Sequence, residues 1–145
     1  MPTDVRVGIV GAGANTTAKH IPLLQEIDGV EIMGVVNRSA SSSDAVARRF
    51  GIPRTYDHWE LAVADPDTNA IVIGTWPYLH CPVTLAALAA GKHVLTEARM
   101  AMNADEALRM LKASEAGLEQ VAQVVPSPIT LFADATIQRL LAEEY

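Results

Sequence analysis

The chain has 145 residues, half of them apolar and 19% charged, with a net charge of −6 at neutral pH. That is the length of one domain, able to bury roughly 68–70% of its unfolded surface, and the acidic balance gives no electrostatic basis for nucleic acid or an anionic membrane as partner. The single cysteine, Cys81, cannot form an internal disulfide, no apolar run reaches the ~18 residues of a membrane span, and no signal-peptide pattern precedes the first strand, so a cytoplasmic protein is expected.

Val5, Val7, Ile9 and Val10 form a short β-branched run of the kind buried on both faces of a parallel sheet. Gly11-Ala12-Gly13 turns the chain, and Ala18, Ile21, Leu24 and Ile27 follow at helical spacing. A strand, a glycine turn and a helix start aim free backbone N–H groups at one point, a site for the pyrophosphate of a dinucleotide. Gly11 can take a backbone angle closed to other residues, and Gly13 lets a phosphate approach without meeting a Cβ. The third glycine of G-x-G-x-x-G is Thr16.

Glu31–Val36 reads as a second strand, Ser41–Phe50 as a helix stopped by Gly51, and Arg54–Tyr56 as a very short strand. Asp57 with Glu60 has the spacing of a capping box. Ala70–Ile73 is a further buried strand ended by Gly74-Thr75-Trp76-Pro77. Cys81–Ala90 is a helix closed by Gly91, and His93–Thr96 is the next strand. Asn103 to Glu106 is a second capping box on a helix ending near Gly117, and Gln120–Val125 is the last strand before Pro126. Leu131–Glu144 has the pattern of one more amphipathic helix. This alternation predicts an α/β, Rossmann-type doubly wound parallel sheet with helices on both faces, whose ligand residues sit past the C-terminal ends of the strands.

Three blocks then resemble the N-terminal half of the Gfo/Idh/MocA oxidoreductases. They are Gly11-Ala12-Gly13 through His20-Ile21-Pro22, Thr75-Trp76-Pro77-Tyr78-Leu79-His80, and the stretch from Ala86 to Gly91-Lys92-His93-Val94. The resemblance implies a two-domain enzyme that moves hydride between NAD(P) and a sugar, polyol or related alcohol. Residues 1–126 would be the dinucleotide-binding domain and 127–145 a connecting helix toward a substrate domain, in a homo-oligomer. It also implies a lysine near the nicotinamide in a Glu-Lys-Pro motif, where this chain has Glu97-Ala98-Arg99. Ala98 carries no proton, and arginine stays protonated, so Arg99 offers charge without proton exchange. A nucleotide-binding or dimerisation module without turnover is therefore the alternative reading.

The expected cofactor-binding residues are Gly11, Gly13, Ala14, Asn15, Thr16, Asn37, Arg38, Ser39, Thr75, Trp76, Pro77, His80 and Glu97. Asn37-Arg38-Ser39 falls at the end of the second strand, where an acidic residue would bind the ribose 2′-hydroxyl of NAD. An amide, a guanidinium and a hydroxyl tolerate a 2′-phosphate instead, which favours NADP with NAD as the alternative. Trp76 would stack on a ring or pack under the sheet edge, and Glu97 would hold the cofactor end of the pocket by hydrogen bonding. Tyr78 is the catalytic candidate, as a phenolic proton donor. His20, His58 and His93 share no metal-ligand spacing and are expected to be structural, and no metal is expected.

Overall fold

The computed structural model describes residues 4–117 and 119–125. Six strands form one wholly parallel sheet in the order β3-β2-β1-β4-β5-β6. They are β1 Val5–Val10, β2 Val30–Val36, β3 Arg54–Thr55, β4 Ala70–Ile73, β5 His93–Thr96 and β6 Ala122–Val124. The helices between them are α1 Ile21–Gln25, α2 Ala40–Phe50, α3 Trp59–Ala64, α4 His80–Ala89 and α5 Ala104–Ala116. The order reverses at β1, next to β4, which is the switch point where such sheets open a ligand crevice.

The strands alternate their side chains between two apolar layers, as a period of two requires. Val7, Ile9, Val35 and Val72 face Ile21 of α1 and Ala47 of α2 on one side. Val10, Val36, Ile71 and Ile73 face Ala62 of α3 and Val83, Ala87 and Leu88 of α4 on the other. Each fully buried Ile or Val contributes about 1.5–3 kcal/mol, so the central strands β1 and β4 hold the sheet together from both faces. The expected connecting helix at 127–145 lies outside the described residues.

Two local expectations are corrected. The helix after the glycine turn is not regular: it begins with a π turn, Thr16–His20, in which Ile21 N–H bonds Thr16 O five residues back. The physical reason is Pro22, which has no N–H to give Ala18 and whose ring would strike that carbonyl in a tight helix. The extra residue in the turn moves the inward stripe. Thr16 and Ile21 are buried, Ala18 is exposed, and Ile27 lies beyond the helix end and is exposed. The second correction concerns Asp57, which caps nothing. The N-cap of α3 is His58, and its side chain makes no capping bond. Of the other expected capping box the N-cap half forms: Asn103 Oδ1 accepts from Glu106 N–H at 2.9 Å, while Glu106 accepts from Met102 N–H, one residue before the cap, at 2.9 Å.

Away from the crevice, the Asp65 carboxylate accepts from the Tyr56 hydroxyl at 2.6 Å, Asp67 N–H at 2.9 Å and Arg54 Nη1 at 2.9 Å. Burial pushes this carboxyl up, but the bonds from Tyr56, Asp67 and Arg54 outweigh it and hold the group below its ordinary value. A carboxyl lowered in the folded state stabilises above its unfolded pKa and loses that contribution as pH falls through the folded one. Unfolding free energy is therefore expected to stay level down to about pH 5 and to decline below about pH 4. Asp65→Asn should flatten part of that decline in denaturant titrations; an unchanged slope would place its source elsewhere.

Candidate functional site

A crevice with a cavity volume of about 520 Å³ opens at the C-terminal ends of β1, β2 and β4. Gly11, Ala12 and Gly13 form its floor, Asn37, Arg38, Ser39 and Ser42 one wall, and Thr75, Trp76, Tyr78 and Leu79 the other. Asp57, His58 and Trp59 close the outer end from the β3 side.

The floor is built by close backbone approach. Gly11 has φ +87°, and a Cβ there would meet Thr75 Cγ2 at 2.6 Å and Thr75 N at 2.8 Å. A Cβ on Gly74 would run into Thr16 Oγ1 and Gly11 O. Thr16 is 1% exposed and its hydroxyl donates back to Gly11 O at 3.2 Å. The close contact usual for a third glycine is thus kept by Gly74, just past the end of β4, with Thr16 packed against it. Thr16 faces inward and does not line the crevice. Gly11 N–H bonds Val36 O at 2.8 Å and Ala12 N–H bonds Asn37 Oδ1 at 2.7 Å. Among the described residues the N–H groups of Gly13, Ala14 and Asn15 have no acceptor, at the start of a helical segment whose dipole favours negative charge.

Asn37 is largely committed to the protein: besides Ala12, its Nδ2 donates to Ser42 O at 3.3 Å and its N–H bonds Ser43 Oγ at 2.8 Å. It ties the glycine turn to the end of β2. Ser39 caps α2, accepting from Ser42 N–H at 3.3 Å, with the Ser41 and Ser42 hydroxyls alongside. Arg38 stands exposed between them, with no ion pair among the described residues.

On the other wall, Trp76 is 71% exposed and lies at the rim, so it does not pack under the sheet edge. Tyr78 is exposed beside it, and Pro77 opens a short 3₁₀ turn, Pro77–Leu79, without lining the crevice. His80 does not reach the crevice either. It is 1% exposed, with Nε2 2.9 Å from Thr75 O and Nδ1 3.1 Å from Arg99 O. It pins the loop after β4 to the loop after β5, where Arg99 sits at φ +58°, a left-handed position that L side chains rarely occupy.

Glu97 leaves β5 outside the crevice and binds Asn15 and His20. Burial pushes its carboxyl up, while the hydrogen bonds from His20, Asn15 and Ala98 N–H outweigh that and leave it below the ordinary value. Of the histidines expected to be structural, His20 lies against Glu97 and His58 lines the crevice wall. His93 keeps a structural part, its Nδ1 accepting from Val121 N–H at 3.0 Å. Asp57, His58 and Trp59 escape a reading of the sequence because β3 has only two residues, and nothing in so short a strand marks its end as lying beside β2. The pairing of Val35 with Thr55 carries them there.

The profile of an oxidoreductase family with an NAD-binding Rossmann fold, Gfo/Idh/MocA, matches residues 5–124. The chain is 36% identical over 114 residues to 1,5-anhydro-D-fructose reductase of Ensifer adhaerens, covering 78% of this chain and 34% of that protein. It is 35% identical over 115 residues to 4-carboxy-2-hydroxymuconate-6-semialdehyde dehydrogenase of a Sphingobium species, covering 79% and 36%. Biliverdin reductase of Synechocystis sp. PCC 6803, solved with biliverdin and NADP+, superposes with a TM-score of 0.78 at 26% identity over 84% of this chain and 38% of that one. The chain spans about a third of the length of the two curated relatives. With the sheet order, the glycine turn and the family match in agreement, the chain belongs to the Gfo/Idh/MocA oxidoreductases, of which it carries the NAD(P)-binding Rossmann fold.

Proposed function

We propose that this chain is the cofactor half of a dehydrogenase or reductase that moves hydride between NADP(H) and a sugar, polyol or related alcohol. The observation that carries the reading is the pairing of a glycine turn and three open N–H groups with an arginine at the end of β2 that has no ion pair among the described residues. Gly13 on the crevice floor, with the N–H groups of Ala14 and Asn15, which follow it without lining the crevice, would take the pyrophosphate, and Arg38 with the Ser39 and Ser42 hydroxyls would take a 2′-phosphate. When bound, the nicotinamide supplies hydride acceptance or donation at carbon, and the protein orients it. Thr75 and Trp76 form the wall on the β4 side, where Trp76 can stack on a ring. Ala98 holds no proton, so Tyr78, exposed on the same rim, is the residue proposed to exchange it. Residues 1–126 are read as the cofactor domain and 127–145 as the connection to a substrate domain.

Asp57 supports a second reading. A carboxylate in the outer wall can accept from a ribose 2′-hydroxyl and repel a 2′-phosphate, which is the behaviour of an NAD site. Titration with NADPH and NADH, followed by ligand fluorescence or melting temperature, decides the matter. Saturable binding with NADPH tighter is expected; NADH tighter would favour the Asp57 reading, and no binding to either would overturn both. Turnover of sugars and polyols by the full-length protein then separates an enzyme from a binding module without turnover.

A further inference from the structure

The loop that follows β5 is anchored at both ends to the elements that build the crevice. At its start, Glu97 Oε1 receives the Asn15 amide and the His20 ring nitrogen Nε2, and Oε2 accepts Ala98 N–H at 3.2 Å. Asn15 Nδ2 and His20 Nε2 stand 3.4 Å apart on the same carboxylate oxygen. At its end, the Arg99 carbonyl faces His80. The His20 and Glu97 side chains keep only 14% and 19% of their exposure, so water competes weakly for this contact. The π turn makes it possible. In a regular helix each residue advances about 100°, and the extra residue in Thr16–His20 rotates the following stripe. That rotation buries Ile21 while His20 meets the end of β5.

None of these three residues lines the crevice between β2, β1 and β4. They lie on its other side, between the glycine turn and β5. We propose that His20 and Glu97 are a positioning pair that sets the spacing between the glycine turn and the loop after β5, and so aligns the nicotinamide half of the cofactor without touching its adenosine half. This inference rests on the dinucleotide reading above. Asn15 belongs both to the anion-binding turn and to the pair, so the two halves of the site are joined through one side chain. Because residue 98 is alanine, the loop holds its place through Glu97 and the Arg99 carbonyl and not through a lysine contact of its own.

The test compares ligands that use one half of the site or both. NADPH and adenosine 2′,5′-bisphosphate are titrated calorimetrically into the unchanged chain, Glu97→Gln, His20→Asn and the double variant, with NADH and ADP alongside. Losing charge-assisted hydrogen bonds should weaken NADPH roughly tenfold in each single variant, with less than about a twofold change for adenosine 2′,5′-bisphosphate. The double variant should lose little more than either single one, as partners in one interaction do. A parallel shift of both ligands, or no shift of either, would overturn the pairing role and leave a merely structural contact. Asn15→Ala, which removes one exposed contact, carries the same comparison where a variant at 20 or 97 fails to fold. Failure of the unchanged chain to bind either dinucleotide would instead remove the cofactor reading itself, and the pair's role with it.

Discussion

Gly11→Ala is expected to destabilise the chain by about 2–4 kcal/mol and to abolish dinucleotide binding. Two costs add at this position. The backbone stands at φ +87°, where an L residue is strained by about 1–2 kcal/mol. The new methyl would also meet Thr75 Cγ2 at 2.6 Å and Thr75 N at 2.8 Å, and backbone cannot move aside as a flexible side chain can. For a chain of this size the melting temperature should fall by roughly 5–15 °C. Two other glycines separate the causes. Gly51 has φ +67° and nothing within 4 Å of the place its methyl would take, so Gly51→Ala should cost only the backbone strain and leave binding intact. Gly13→Ala meets nothing nearer than Gly74 O at 3.9 Å and should leave stability within about 0.5 kcal/mol while weakening the cofactor, because its methyl occupies space a phosphate needs. Wild-type NADPH affinity in Gly11→Ala would overturn the assignment of the turn.

Arg38→Ala should weaken NADPH by roughly 10- to 100-fold and NADH by less than about threefold, the loss expected when a charged hydrogen-bonding group no longer meets a phosphate. Arg38 has no ion-pair partner among the described residues, so its removal leaves no orphaned charge, and the fold should be unaffected. Asp57→Asn should act in the opposite sense, improving NADPH relative to NADH by relieving repulsion across the crevice. Affinity for both cofactors measured at fixed ionic strength, with each variant and the pair, reads the two wall charges independently. An equal loss for both cofactors in Arg38→Ala would reject the 2′-phosphate role. Binding unaffected by either change would place the ribose elsewhere.

Most of the architecture is legible because its signals are local. Short runs rich in β-branched residues specify buried strands, and β4 and β5 occupy the very spans their composition marks. The glycine turn, the arginine at the end of β2 and the rim residues Thr75, Trp76 and Tyr78 are likewise readable, since each lies immediately past a strand end. The phase of α1 is not, because a single proline four residues beyond Ala18 changes the hydrogen-bond ladder upstream of itself. His80 has a motif position but not a ligand position: its two ring nitrogens are taken by carbonyls 5 and 19 residues away in sequence.

The amino-acid order alone therefore settles the parallel α/β sheet, the place of the glycine turn and the alanine at residue 98. Each of these depends on neighbours in sequence. Tertiary structure alone decides which residues share the crevice and which support it from behind. Asp57 and His58 enter its wall through the pairing of β3 with β2, Gly74 supplies the close contact that position 16 does not, and His20 meets Glu97 across 77 residues of chain. Those contacts arise from strand register and helix phase, which are set by packing the whole sheet between two apolar layers and leave no mark in any short stretch of sequence.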